Sequence, residues 1–409
     1  MITTYVAALA RVAWMGLAIG EAAAGDWPQW RGPDRTGVAP GDVTLAEAWG
    51  PTGPAKLWMS EPVPKDSLGS PVVAGDRVYL YGTSKPPAKE GAADLFFCFD
   101  AADGKTVWKQ AFPIGTNSAA SSGTPCIANG RLYGLGAAGT VYCLDARDGK
   151  RLWAVQGKGV PSAKWSETMC SSVLVLADQV IAMAGPLTAF KPDTGDILWT
   201  QEKVGPSVSS PLLWKNGGRN LLICNTEKKC FCVDAKDGSV LWSVAGGMYS
   251  TPVVEGDQMV LLGGNEAVGL SAYRLSAEKA ELLWKVPLKD RGASPLIYGE
   301  HVYAVGGNKV VCVARADGKV AWEWSEGIKV EISSPIIAGG RLIALSGGPG
   351  LAMFRAAPEK PERMATAKME ASPVGCSSPA FADGKLYLRL SKKGIACYDL
   401  QAAASAGVK

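Results

Sequence analysis

With 47% apolar and 20% charged residues, a chain of 409 residues holds material for a large core, and global disorder is excluded. Its 42 basic and 38 acidic residues leave a net charge of only +4. They form no dense Lys/Arg run, so the sequence carries no nucleic-acid footprint.

The chain opens with Arg11 ahead of an apolar stretch, Val12 to Gly20, and the small residues Ala22-Ala23-Ala24-Gly25. That run is too short to span a bilayer. Residues 1–25 therefore read as a signal peptide cut near Ala24, and the protein as periplasmic or secreted. A modest N-terminal helix is the structural alternative. No later stretch approaches the roughly 18 apolar residues of a spanning helix, so no membrane span is expected. The first cysteine is Cys98, which removes a lipid-anchored N-terminus. Residues 26–54 form a leader headed by Asp26-Trp-Pro-Gln-Trp-Arg-Gly-Pro-Asp-Arg-Thr-Gly37, and residues 401–409 a C-terminal tail.

Between them the chain repeats itself about every 44 residues. One landmark is a small hydroxyl residue before proline: Ser70-Pro71, Thr124-Pro125, Ser210-Pro211, Thr251-Pro252, Ser294-Pro295, Ser334-Pro335 and Ser378-Pro379. Ser172-Val173 is an eighth copy without the proline. The second landmark is an Asp/Thr-Gly turn followed by tryptophan, as in Asp148-Gly149…Trp153; Trp284 keeps the place without the glycine.

Each period resolves into four short strands. In the second they are Pro125–Ala128, Arg131–Leu135, Thr140–Leu144 and Lys150–Trp153. Asn129-Gly130 and Asp148-Gly149 supply the positive φ that tight hairpins require. Four antiparallel strands repeated eight times, with no helical pattern between copies, predict an all-β, eight-bladed β-propeller over residues 55–400. The leading proline is tolerated because strand one is a blade's free inner edge. The tryptophan is placed to pack across to the neighbouring blade. The last period stops at Leu400 without a fourth strand, and Ala55-Lys-Leu-Trp58 is expected to complete it and close the ring. The seventh period, with prolines and no tryptophan between Pro358 and Met369, reads as a loosened blade edge.

Strands three and four of the second period read Cys-Leu-Asp-Ala-Arg-Asp-Gly-Lys-Arg-Leu-Trp153, and Ser70-Pro-Val-Val-Ala-Gly-Asp-Arg-Val-Tyr79 opens the first. These resemble the pyrroloquinoline-quinone (PQQ) repeat family, in its quinoprotein alcohol dehydrogenase-like superfamily. The leader resembles the segment opening many exported PQQ-like propellers of planctomycete-type bacteria. WD40-like repeats are a poor match, since no Trp-Asp dipeptide occurs. The resemblance implies the fold more firmly than a function. Some relatives are dehydrogenases holding PQQ and Ca²⁺ at the channel mouth; another is a non-enzymatic assembly factor of the outer-membrane β-barrel machinery. Those enzymes resemble one another in a vicinal Cys-Cys pair against the quinone, whereas Cys230-Phe-Cys232 is not vicinal.

His301 is the only histidine and falls at the polar position just after a hairpin turn, so neither a Ser-His-Asp triad nor a histidine metal site is supported. Cys98, Cys143, Cys232, Cys312 and Cys397 share one register in strand three and read as buried core residues. Cys224 and Cys230 flank a turn, where a local disulfide is possible. No Cys-x-x-Cys pair occurs, and no metal site is assigned.

The loops leading into each strand one should converge on one mouth of the channel. They carry Lys65 and Asp66, Lys164, Trp165 and Glu167, Tyr249, Arg291, and Lys329 and Glu331. This rim is the default ligand site, the alternative being ordinary solvated loops. Tyr249, Arg291 and Glu331 lie on successive blades and could form one patch, with Arg291 suited to a carboxylate or quinone oxygen. Glu167 and Glu331 belong to opposite blades and are badly placed as an acid/base pair. No catalytic residue is assigned.

The leading expectation is a non-enzymatic binding or scaffold module that takes a protein partner or small ligand at the channel mouth, as a monomer. The alternative is a PQQ- and Ca-dependent alcohol or sugar oxidoreductase, with the chemistry carried by the quinone. A polysaccharide-binding propeller using Trp165 and Tyr249 is a third possibility.

Overall fold

The local turn chemistry operates as the sequence requires. Asn129 and Gly130 take φ of 52° and 71°, both positive as a two-residue hairpin demands. The hairpin joins Cys126–Ala128 to Arg131–Leu135. Repeated along the chain, such hairpins give eight four-stranded antiparallel sheets, and the sheets form an eight-bladed propeller. The computed structural model describes residues 25–50, 52–64, 68–84, 92–114, 123–158, 170–328, 332–346, 348 and 350–401. The proposed signal peptide lies almost wholly outside them. No helix among the described residues is long and apolar enough to cross a membrane.

Ring closure follows the expectation. Ala55–Met59 pairs with Ile395–Asp399, so that the order of the eighth sheet runs from an N-terminal strand to three C-terminal ones. In every blade the middle of strand three faces one position of strand four, and a bulge follows. Cys98 faces Trp108, Cys143 faces Trp153, Cys232 faces Trp242, Cys312 faces Trp322 and Cys397 faces Trp58. Burial pushes the thiols of Cys98, Cys143 and Cys232 up to about 12, as suits inert core residues.

The two sequence landmarks recur together for a physical reason. Each tryptophan lies on the strand three to four turn of the next blade, and five of those turns carry the Asp/Thr-Gly glycine. A Cβ on Gly104, Gly149, Gly195, Gly238 or Gly318 would sit 2.4–2.8 Å from the preceding blade's indole. The indole N–H then donates to a carbonyl of the same turn, as from Trp58 to Ala101, Trp108 to Ala146 and Trp199 to Ala235. The glycine therefore serves both a positive φ and the close approach of a ring.

One expectation is corrected and one open question answered. Blade seven is not loosened at its edge: Arg363–Lys368 forms a regular fourth strand with the same bulge, and only the tryptophan is replaced, by Ala365. The leader fills that gap. Ala46 N–H donates to Leu400 O, the blade-eight counterpart of Ala101, while Leu45 and Trp49 join the core around Ala365 and Tyr387. Cys224 and Cys230 are not bridged. They face Phe231 and Asn225 in consecutive register, so their side chains emerge on opposite faces and belong to different inter-blade cores.

Blade one differs in size, with strands Arg77–Ser84, Ala92–Asp100 and Thr106–Ile114. Its extension is tied to blade two by Asp94. The buried carboxylate accepts from Tyr81 Oη at 2.7 Å, Tyr142 Oη at 3.0 Å and Ala137 N–H at 3.0 Å.

Candidate functional site

The Ser/Thr-Pro landmark builds the channel. Each hydroxyl accepts the backbone N–H of the matching residue one blade earlier: Ser70 N–H to Thr124 at 3.0 Å, Thr124 to Ser172 at 3.1 Å, Ser172 to Ser210 at 2.9 Å and Ser210 to Thr251 at 2.9 Å. The chain of bonds continues from Thr251 to Ser294 at 3.0 Å, Ser294 to Ser334 at 3.0 Å and Ser334 to Ser378 at 3.2 Å. Ser378 N–H returns to Ser70 at 2.8 Å and closes the circle. Blade three can lose its proline, but the ring requires Ser172 Oγ.

One side of this ring is filled by the leader, to which sequence reasoning gave no role. Trp27 pairs with Val73 of blade one, Pro28 O accepts from Ile127 N–H of blade two, and Val38 pairs with Ile337 of blade seven. Between these anchors the chain makes a tight excursion into the channel. Arg31 and Arg35, each 1% exposed, both adopt left-handed backbone angles, φ 63° and 57°. Arg31 Nη2 donates to Thr36 O at 2.7 Å and to Pro295 O of blade six at 2.5 Å. Arg35 reaches Gln29 Oε1 at 2.8 Å, Pro211 O of blade four at 2.9 Å, and Ser172 and Val173 carbonyls of blade three. Burial pulls the Arg31 guanidinium down to about 9 and that of Arg35 to about 10. The signal that could have found this plug is two arginines set among Gly32, Pro33 and Gly37, a spacing made for tight turns.

The other side of the ring is a cavity of about 270 Å³. Trp30 of the leader contributes to its lining together with ring residues Ser172, Ser210, Thr251, Ser334 and Ser378. The wall carries Tyr249 and Arg291, whose guanidinium carbon lies 5.3 Å from the Tyr249 ring centroid. Their backbones are joined by Tyr249 N–H to Arg291 O at 2.9 Å. Cys170 and Cys376 also line it, and neither was singled out from sequence. Asp290, beside Arg291, accepts from Gly292 N–H at 2.8 Å and Ala293 N–H at 2.7 Å, and burial raises its pKa. Trp165, Glu167, Lys329 and Glu331, with Lys65, Asp66 and Lys164, lie outside the described residues. His301 begins strand two of blade six, half-buried.

A family model described as outer membrane protein assembly factor BamB matches residues 43–212 and 183–406, nearly the whole propeller. The chain belongs to this BamB-type family of PQQ repeats. Among solved structures it is similar to BamB from Moraxella catarrhalis, at 12% identity and a TM-score of 0.60, covering 83% of this chain and 99% of that one. It is similar too to a europium-containing methanol dehydrogenase, at 13% identity and TM-score 0.62, covering 90% and 89%. A quinohemoprotein alcohol dehydrogenase from Comamonas testosteroni follows at 14% identity and TM-score 0.51, covering 95% and 83%. At these identities the likeness establishes the fold. No curated protein matches the sequence.

The oxidoreductase alternative that the repeat resemblance implies needs a quinone and Ca²⁺ at this mouth, and the donor set tests that. Ca²⁺ takes six to eight oxygen ligands, chiefly carboxylates and carbonyls. No carboxylate lines the described part of the cavity, and Asp290 is already engaged by two backbone donors. Nor do any three His, Cys, Asp or Glu residues cluster as a metal site among the described residues. The described residues do not fit Ca²⁺.

Proposed function

We propose that the protein is an exported, non-catalytic binding module, whose channel mouth receives a carboxylate-bearing segment of a protein partner. One observation carries this reading: the leader closes one side of the ring, leaving a cup of about 270 Å³ on the other. The cup offers hydroxyls, an aromatic floor at Trp30 and the Tyr249–Arg291 pair, with no acid/base pair among its described lining residues. That volume suits one or two side chains, and an exposed arginine stacked on tyrosine is preorganised for a carboxylate. Membership of a family named for an outer membrane protein assembly factor supports a scaffold role and an exported location.

The test is fluorescence-polarisation binding of labelled peptides with acidic side chains or a free C-terminal carboxylate. Arg291→Ala should weaken binding on the order of tenfold or more. Lys236→Ala, on an exposed turn at the opposite face, should leave it unchanged. Absence of peptide binding, or equal effects of the two variants, overturns the assignment. Dye reduction by the protein with PQQ, Ca²⁺ and an alcohol would establish the oxidoreductase alternative in its place.

A further inference from the structure

We propose that the channel beneath Trp30 is a binding site for a small inorganic anion of halide size, held by Arg31. The site is separate from the mouth. The Arg31 guanidinium lies under the indole, 5.6 Å from its ring centroid, while Trp30 itself contributes to the cavity lining.

The two guanidiniums are buried against different blades. Arg31 bonds to the carbonyl of Pro295 and Arg35 to those of Ser172, Val173 and Pro211, all at or next to the residues of the hydroxyl ring. Every acceptor either one has is neutral, since Thr36 O and Gln29 Oε1 complete the set. The leader's own carboxylates are turned elsewhere: Asp34 and Asp42 are exposed, Asp26 accepts from Gly75 N–H at 2.9 Å, and Glu47 pairs with Arg341 and Arg355. The thiol nearest Arg35, Cys126, is raised by burial to about 11 and carries no charge at neutral pH. Each of the two buried cations thus lacks a counter-charge among the described residues, and buried charges are ordinarily paired.

The two arginines differ in what they have left to give. Arg35 engages Nε, Nη1 and Nη2, whereas Arg31 Nε and Nη1 are buried with no partner among the described residues. The Nε–Nη2 edge of Arg31 is closed, because a Cβ on Gly37 would already lie 2.6 Å from Leu296 and 2.8–2.9 Å from those nitrogens. Nη2 is committed to two carbonyls. Donation remains at Nη1, which suits a spherical anion; a carboxylate or phosphate prefers a two-donor edge. The left-handed angles at both residues are the backbone distortion that turns them inward.

The experiment is thermal unfolding of the full chain at matched ionic strength in sodium gluconate, chloride, bromide and iodide. The expected result is a saturating rise in Tm with halide, on the order of 5 °C at a hundredfold excess over Kd. The rise should be lost in Arg31→Met. Because that variant can fail to fold, wild-type crystals grown with bromide supply an independent reading: an anomalous peak against Arg31 Nη1. Equal Tm in gluconate and halide, a halide response that persists in a folded Arg31→Met, or an ordered water in place of the bromide peak would each overturn the site.

Discussion

Ser334 accepts the Ser294 N–H at 3.0 Å and passes its own N–H to Ser378 at 3.2 Å. Ser334→Ala leaves the Ser294 N–H buried without an acceptor and should cost about 1–3 kcal/mol. Ser334→Thr keeps the oxygen, as Thr124 and Thr251 do in the same ring, and should stay within about 0.5 kcal/mol of wild type. Denaturant midpoints of the two variants test this, and equal losses would deny the ring an energetic role. Asp94 gives a pH dependence. Burial, outweighing the bonds from Tyr81, Ala137 and Tyr142, raises its pKa, so the folded state holds its proton to higher pH than the unfolded chain. That stability is full below the unfolded value of about 4 and is lost as pH rises through the folded one. Asp94→Asn lacks the decline, so its Tm relative to wild type should climb from about pH 4 toward neutrality. A difference independent of pH would show that Asp94 does not titrate there.

At the scale of the element, the fourth strand of each blade is a docking strand, and its tryptophan is one half of a joint whose other half is the next blade's turn. Blade seven shows that the joint, and not the tryptophan, is what the architecture needs. Ala365 occupies the tryptophan register, and the leader supplies the donor through Ala46 and the apolar bulk through Leu45 and Trp49. Restoring the repeat consensus with Ala365→Trp should therefore overpack a filled slot and destabilise by about 1–3 kcal/mol. A rise in Tm would show the slot to be open. From sequence, the missing tryptophan was visible and its replacement was not, because the substitute comes from more than 300 residues away in the chain, at Ala46.

For the whole molecule, closure depends on one short strand. A chain beginning at Gly53 keeps Ala55–Met59 and should elute at the size of the full-length protein, though with a lower Tm once the plug is gone. A chain beginning at Ser60 leaves Ile395–Asp399 as an unpaired edge, an invitation to strand addition between copies. Light scattering after size exclusion should show it as larger species. Equal sizes would mean that the ring closes without its N-terminal strand.

The sequence by itself determined the repeat, the four strands of each blade, the turn glycines and the strand that completes blade eight. All of these follow from local periodicity and from residues whose backbone preferences act over a few positions. Of the candidate rim residues, Tyr249 and Arg291 are among the described ones, and the folded chain sets these two side by side because successive blades bring their leading loops together. Tertiary structure alone decided the rest. The serine and threonine of the landmark become a closed ring only when Ser378 meets Ser70, and no spacing announces that contact. Arg31 and Arg35, charged residues in a polar leader, read locally as solvated. They are buried because the channel offers carbonyls from blades three, four and six, acceptors that exist together only after eight distant segments have closed around one axis.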